Sequence, residues 1–227
     1  MLFDLRGRGR RRVVQVIYLT LAILLGGGLV FFGIGGDVQG GLFDAFSDSS
    51  GRDTGSSQLE QRAKRLEQRT QANPQDAQAY ADLAKVRYQL AGTGDGFNSD
   101  TRAFTAVGKR RLAGAARAWE RYLALDPARP DDTVAIQMVQ VYSAAGLNQP
   151  AKAVEAQELV IARRGDKSNL YAQLADLAYQ ADQTRKGDLA ADKAVQLADP
   201  EDRKLLREQL DGLKTGGAAG AQPQGSG

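Results

Sequence analysis

Cysteine and histidine are both absent from the 227 residues. Their absence removes disulfides, thiol nucleophiles, Cys/His zinc sites, haem attachment through paired cysteines and imidazole acid–base chemistry together. Aromatic side chains are also scarce, at 7% with a single tryptophan. Alternating apolar and polar stretches of the kind that build half-buried strands are almost lacking, whereas apolar positions recur at spacings of three and four. The expected fold class is therefore all-α, long enough for one domain and an appendage.

An excess of positive charge is missing from the body of the chain, although the formal net charge is +3. Arg6, Arg8, Arg10, Arg11 and Arg12 lie in the first twelve residues with Asp4 as the only acid there. Subtracting them from 30 basic and 27 acidic residues leaves 25 against 26, a net of −1. A nucleic-acid partner is accordingly not expected.

One long apolar run is present. Val13 to Ile34 is 22 residues without a charged side chain, and at ~1.5 Å rise per residue it covers roughly 33 Å as a helix, enough to cross a bilayer. A cleaved signal peptide has a shorter apolar core and a small-x-small site. The flank "GGDVQGGLFDAFSD" lacks such a site, so an uncleaved anchor over residues 13–35 is the reading. Arginines before the span place residues 1–12 in the cytoplasm and everything after about residue 35 outside it, in a single-pass plasma-membrane protein. Residues 36–57, polar and rich in Ser and Gly, read as a flexible linker, and 215–227 as a disordered tail.

Between linker and tail a pattern repeats. "NPQDAQAYADLAKVRYQL" presents Tyr80, Leu83, Ala84 and Tyr88 at helical spacing; "DDTVAIQMVQVYSAAG" presents Ala135, Met138, Val139 and Tyr142; "SNLYAQLADLAYQ" presents Tyr171, Leu174, Ala175 and Tyr179. Each is followed by a second helix: "AARAWERYLALDP", "AKAVEAQELVIARRG" and "DLAADKAVQLADP". Alanine recurs where a helix core usually takes larger residues, which lets paired helices approach closely.

These residues resemble the tetratricopeptide-repeat family over residues 58–214, clearest in Tyr80-Leu83-Ala84 with Trp119-Tyr122-Pro127 and in Tyr171-Leu174-Ala175 with Pro200. The chain departs from the family in an insertion of about twenty residues around Thr93 to Leu112, set against a ~34-residue period, and in a second repeat without its terminal proline. The resemblance implies an α-solenoid of about three helix pairs behind the membrane anchor. Leu59, Ala63 and Leu66 belong to a preceding half-repeat helix, and "EDRKLLREQLDGLK" to a terminal capping helix.

The family's groove positions fall here on Gln78, Ala81, Lys85, Tyr88 and Gln89; on Thr133, Ile136, Gln140, Ser143 and Ala144; and on Asn169, Ala172, Asp176, Tyr179 and Gln180. Such a groove is amide-rich, with tyrosines suited to an extended peptide. Ala81 and Asn169 stand where a carboxylate-clamping member needs basic residues. "GTGDGFNSD" reads as a turn with Ser99 or Asp100 capping the next helix, since it lacks calcium-loop spacing. "AVGKRR" lacks the Ser/Thr and the earlier glycine of a phosphate loop. Lys109, Arg110, Arg111 and Arg117 with Phe97 and Phe104 make the insertion basic and aromatic, read as a solvated helix face over two buried rings.

No catalytic residue, cofactor or metal site is expected. The functional expectation is a non-enzymatic, membrane-anchored scaffold that binds a protein or peptide outside the cytoplasm. The resemblance to anchored bacterial repeat proteins points to secretion, envelope assembly or extracytoplasmic folding. The alternatives are a homo-oligomeric spacer whose groove its own insertion fills, and the repeat subunit of cytochrome c maturation.

Overall fold

The computed structural model describes residues 52–219. The expected cytoplasmic segment and membrane span lie outside them. Among the described residues no helix is long and apolar enough to cross a membrane.

The described chain is helical almost throughout, as the periodicity requires. Its eight α-helices are α1 Arg52–Ala72, α2 Ala77–Ala91, α3 Ala106–Ala124, α4 Asp132–Tyr142, α5 Pro150–Arg164, α6 Ser168–Gln180, α7 Thr184–Leu197 and α8 Arg203–Ala219. α1 starts inside the expected linker, and α8 runs a few residues into the expected tail. α2 packs on α3, α4 on α5 and α6 on α7; α3 then meets α4, α5 meets α6, and α8 lies against α6 and α7.

Small residues make these pairings close. Ala84 and Ala115 are fully buried in the first pair, Ala135 and Ala153 in the second, and Ala175 and Ala194 in the third. Larger groups fill the spaces between them: Leu112, Met138, Tyr142 and Val160 are among the most deeply buried side chains, and Trp119 and Tyr122 lie 5.3 Å apart centroid to centroid.

Local chemistry sets the boundaries. Asp76 accepts from the Ala79 amide at 3.0 Å and starts α2, and Asp131 accepts from Thr133 and Val134 to start α4. Pro150 opens α5 at a position where a helix needs no amide donor. Polar side chains tie successive helices together: the Tyr122 hydroxyl accepts from the Asp131 amide at 2.9 Å, and buried Gln157 donates to the Leu170 carbonyl at 2.9 Å.

The insertion is built from a turn, a short hairpin and the first turns of α3. Its only non-helical part joins α2 to α3 through a 3₁₀ turn, Gly94–Gly96, and a two-stranded antiparallel hairpin, β1 Phe97–Asn98 with β2 Ala103–Phe104. Phe97 pairs with Phe104, their rings edge-to-face at 5.4 Å. Both are half-buried, not buried. α3 begins at Ala106, and its cap is Thr105, whose hydroxyl accepts from the Gly108 amide at 3.1 Å. Ser99 and Asp100 do not cap it: the Asp100 amide instead closes the hairpin turn by donating to Asn98 Oδ1.

A candidate binding face on the first helix of each pair

Each of α2, α4 and α6 buries one side and leaves the other more open. On α2 the open side carries Gln78, Lys85, Tyr88 and Gln89; on α4, Ile136 and Gln140; on α6, Asn169, Asp176 and Gln180. Gln78, Asn169 and Gln180 are exposed and the others half-buried.

Tyr179 departs from this set. It is 7% exposed, its ring fills a slot that Gly187 leaves on α7, and a Cβ at Gly187 would collide with it. Its hydroxyl donates to Asp188 Oδ1 at 3.0 Å, and burial followed by that carboxylate pushes its pKa up to about 12. Tyr179 therefore belongs to the α6–α7 packing and offers no open contact surface. Ala81 is likewise fully buried.

α2 and α4 are neighbours in the fold. α6 instead neighbours α5, α7 and α8, and Gln180 lines a shallow cleft with Pro150, Lys152 and Asp182 at the start of α5. Lys85 joins the first two helices: its ammonium donates to Asp131 Oδ2 at 2.8 Å. Burial pushes the Asp131 carboxyl up, but the Lys85 ammonium and the Val134 and Thr133 amides outweigh it and hold its pKa below the usual value. Lys85 is thus already engaged, as is Gln78, which donates to Asp82.

What stays uncommitted on this face is hydrogen-bonding capacity. Among the described residues the Tyr88 hydroxyl and the side-chain amides of Gln89 and Gln140 meet no partner. Desolvation raises the Tyr88 pKa, so the phenol stays protonated and able to donate. Beside Gln140, three residues earlier on the same helix, Gln137 buries its Oε1 without any partner. Buried polar atoms are normally satisfied, and one that is not carries a desolvation cost until a donor reaches it. Sequence reasoning missed Gln137, because a glutamine one turn from another reads as ordinary helix surface.

The basic insertion separates on folding. Arg111 turns inward, donating to the Leu90 and Thr93 carbonyls and pairing with Asp95 at 2.9 Å, so it fastens α3 to the end of α2 and to the 3₁₀ turn. Lys109, Arg110 and Arg117 remain exposed. Among the described residues no cluster of acidic side chains converges to hold a metal ion. No family model matches the chain, and neither a curated protein nor a solved structure matches it.

Proposed function

We propose that this chain is a membrane-anchored scaffold whose α2–α4 face binds an extended peptide segment of a protein partner outside the cytoplasm. The observation that carries this reading is the set of unspent hydrogen-bonding groups on that face: the Tyr88 hydroxyl and the Gln89 and Gln140 side-chain amides. Peptide backbone supplies a donor and an acceptor at each residue, which is what such a surface lacks. A tetratricopeptide-like solenoid is the architecture that accounts for three successive helix pairs with alanine in each seam. The anchor and its orientation rest on the apolar run Val13 to Ile34 and the arginines before it. The partner's pathway is taken to be secretion, envelope assembly or folding, in keeping with the resemblance.

The test is site-specific photocrosslinking in intact cells from position 89 or 140, with position 196 on exposed α7 surface as the control. Expected are discrete protein adducts from 89 and 140 that fall sharply when Tyr88→Ala is added, while helicity and melting are unchanged. Adducts of equal yield from position 196, or none from the face at all, would overturn the reading.

A further inference from the structure

A second surface lies under α1 and uses none of the residues of the α2–α4 face. α1 buries Ala63 and Leu66, yet its backbone runs close to no other helix for more than a point or two. The gap is spanned by long charged side chains. Arg87 of α2 donates to Glu67 of α1 at 2.8 Å and to the Gly114 carbonyl of α3 at 3.0 Å. On either side of that bridge a cleft remains, one of about 270 Å³ and one of about 380 Å³, and both share Glu67, Arg87 and Arg117. They form one trough between α1 and α3 with Arg87–Glu67 across its middle.

The charges along this trough are unevenly satisfied. Arg87 has Glu67, and Arg111 has Asp95 and, at 3.7 Å, Glu60. Arg110 and Arg117, which also line it, have no acidic partner among the described residues. They are seven residues apart on α3, so they face the same way about 10.5 Å apart along the helix axis. A polyproline II chain rises ~3.1 Å per residue with about three residues per turn, which sets carboxylates three residues apart on one face roughly 9 Å from each other, close to that spacing. The trough floor between them is apolar, through Ala63 and Leu90.

We propose that this trough binds an acidic protein segment in polyproline II form, with carboxylates three residues apart on Arg110 and Arg117, and that Glu67 occupies Arg87 as a resident stand-in for a third carboxylate. A phosphate backbone fits less well. Glu67 stands in the middle of the trough and Glu60 and Asp95 beside it, so a continuous line of phosphates meets repulsion at each step. Separate carboxylates can be placed between these acids.

The experiment uses the full chain in a neutral detergent and a fluorescein-labelled peptide with glutamate at every third position, set against its glutamine counterpart. The acidic peptide should bind at least about tenfold more tightly than the glutamine peptide, and Arg110→Gln with Arg117→Gln should remove that difference without shifting the melting curve. Raising the salt from about 0.05 to about 0.2 M should weaken binding. Glu67→Gln should strengthen it by freeing Arg87, with hydrogen exchange at Ala63 and Leu66 reporting whether α1 stays docked. Should α1 detach, the double arginine variant still decides, because neither arginine pairs with α1. Equal binding of the two peptides, indifference to the arginine substitutions, or displacement of the acidic peptide by a short oligonucleotide at lower concentration would overturn the proposal. Variants at Gln89 and Gln140 should leave this binding intact, which separates its failure from failure of the α2–α4 face.

Discussion

The α6–α7 pair and the α1–α2 neighbourhood join helices in opposite ways. Between α6 and α7, Ala175, Ala178, Ala190, Ala191 and Ala194 are all nearly or wholly buried, and Gly187 removes even a methyl group so that the Tyr179 ring can lie flat against the helix. Between α1 and α2 only Ala63 and Leu66 of α1 join the core, and beside them an arginine and a glutamate, both still partly exposed, bridge the helices with clefts on either side. Close-packed interfaces respond to single methyl groups, because dispersion contacts vanish or clash within an ångström. A contact carried by a partly exposed ion pair contributes little and is screened by salt. The paired helices should therefore behave as one cooperative unit, with α1 as its loosest member.

The same substitution in the two regions is the sharpest way to break this comparison. Ala175→Leu places three extra carbons in the fully buried seam of the α6–α7 pair and should cost ~1–3 kcal/mol in urea unfolding. Ala63→Leu faces the trough under α1, where there is room, and should cost no more than ~0.5 kcal/mol or stabilise by filling it. Equal losses would mean that α1 is packed like the rest.

Glycine offers a second, smaller contrast. Gly187→Ala sets helix propensity against a collision with the Tyr179 ring. The gain from propensity is at most ~1 kcal/mol, so a net loss of roughly that size is expected. At Gly212 on α8 an added Cβ meets nothing, and Gly212→Ala should stabilise by ~0.5–1 kcal/mol. A stabilising Gly187→Ala would show that the ring is free to move aside, and would return Tyr179 to the candidate face.

These positions also show what the sequence discloses and what it hides. Period-3.6 apolar positions, alanines in paired helices and prolines at boundaries are local signals, and they located all eight helices closely enough to expose the pairing. The start of α3 was placed too early because Ser99 and Asp100 suit a cap as well as Thr105 does by residue type, and the two glycines of "AVGKRRLAGAA" have a use that no local pattern shows. In the fold they are space: Gly108 lets the Gly96 carbonyl close down on the first turn, and Gly114 makes room for the Arg87 side chain. The slot for Tyr179 was hidden for the same reason, since Gly187 faces it from the next helix. Of the candidate face, the helix positions were legible from spacing. Which of them keep free hydrogen-bonding groups depends on contacts such as Lys85 to Asp131, 46 residues apart, that no local pattern announces.

That contact yields the smallest expected effect. Lys85 and Asp131 are each about a quarter exposed, so their attraction is only partly screened, and Lys85→Met should lower stability by about 1 kcal/mol near neutral pH. The acid limb gives the sign. Asp131 titrates below its ordinary value of 3.8 in the folded chain, so its stabilising contribution is fully present above that value. It is lost as the pH falls through the depressed folded pKa, because the unfolded chain takes up the proton first. The gap between wild type and Lys85→Met should therefore close at the foot of the carboxylate titration, where Asp131 is neutral and Lys85 has no charge to meet. A gap that persists there would mean that the lysine acts through its aliphatic stem, packed between α2 and α4, and that its ammonium is available to a ligand on the candidate face.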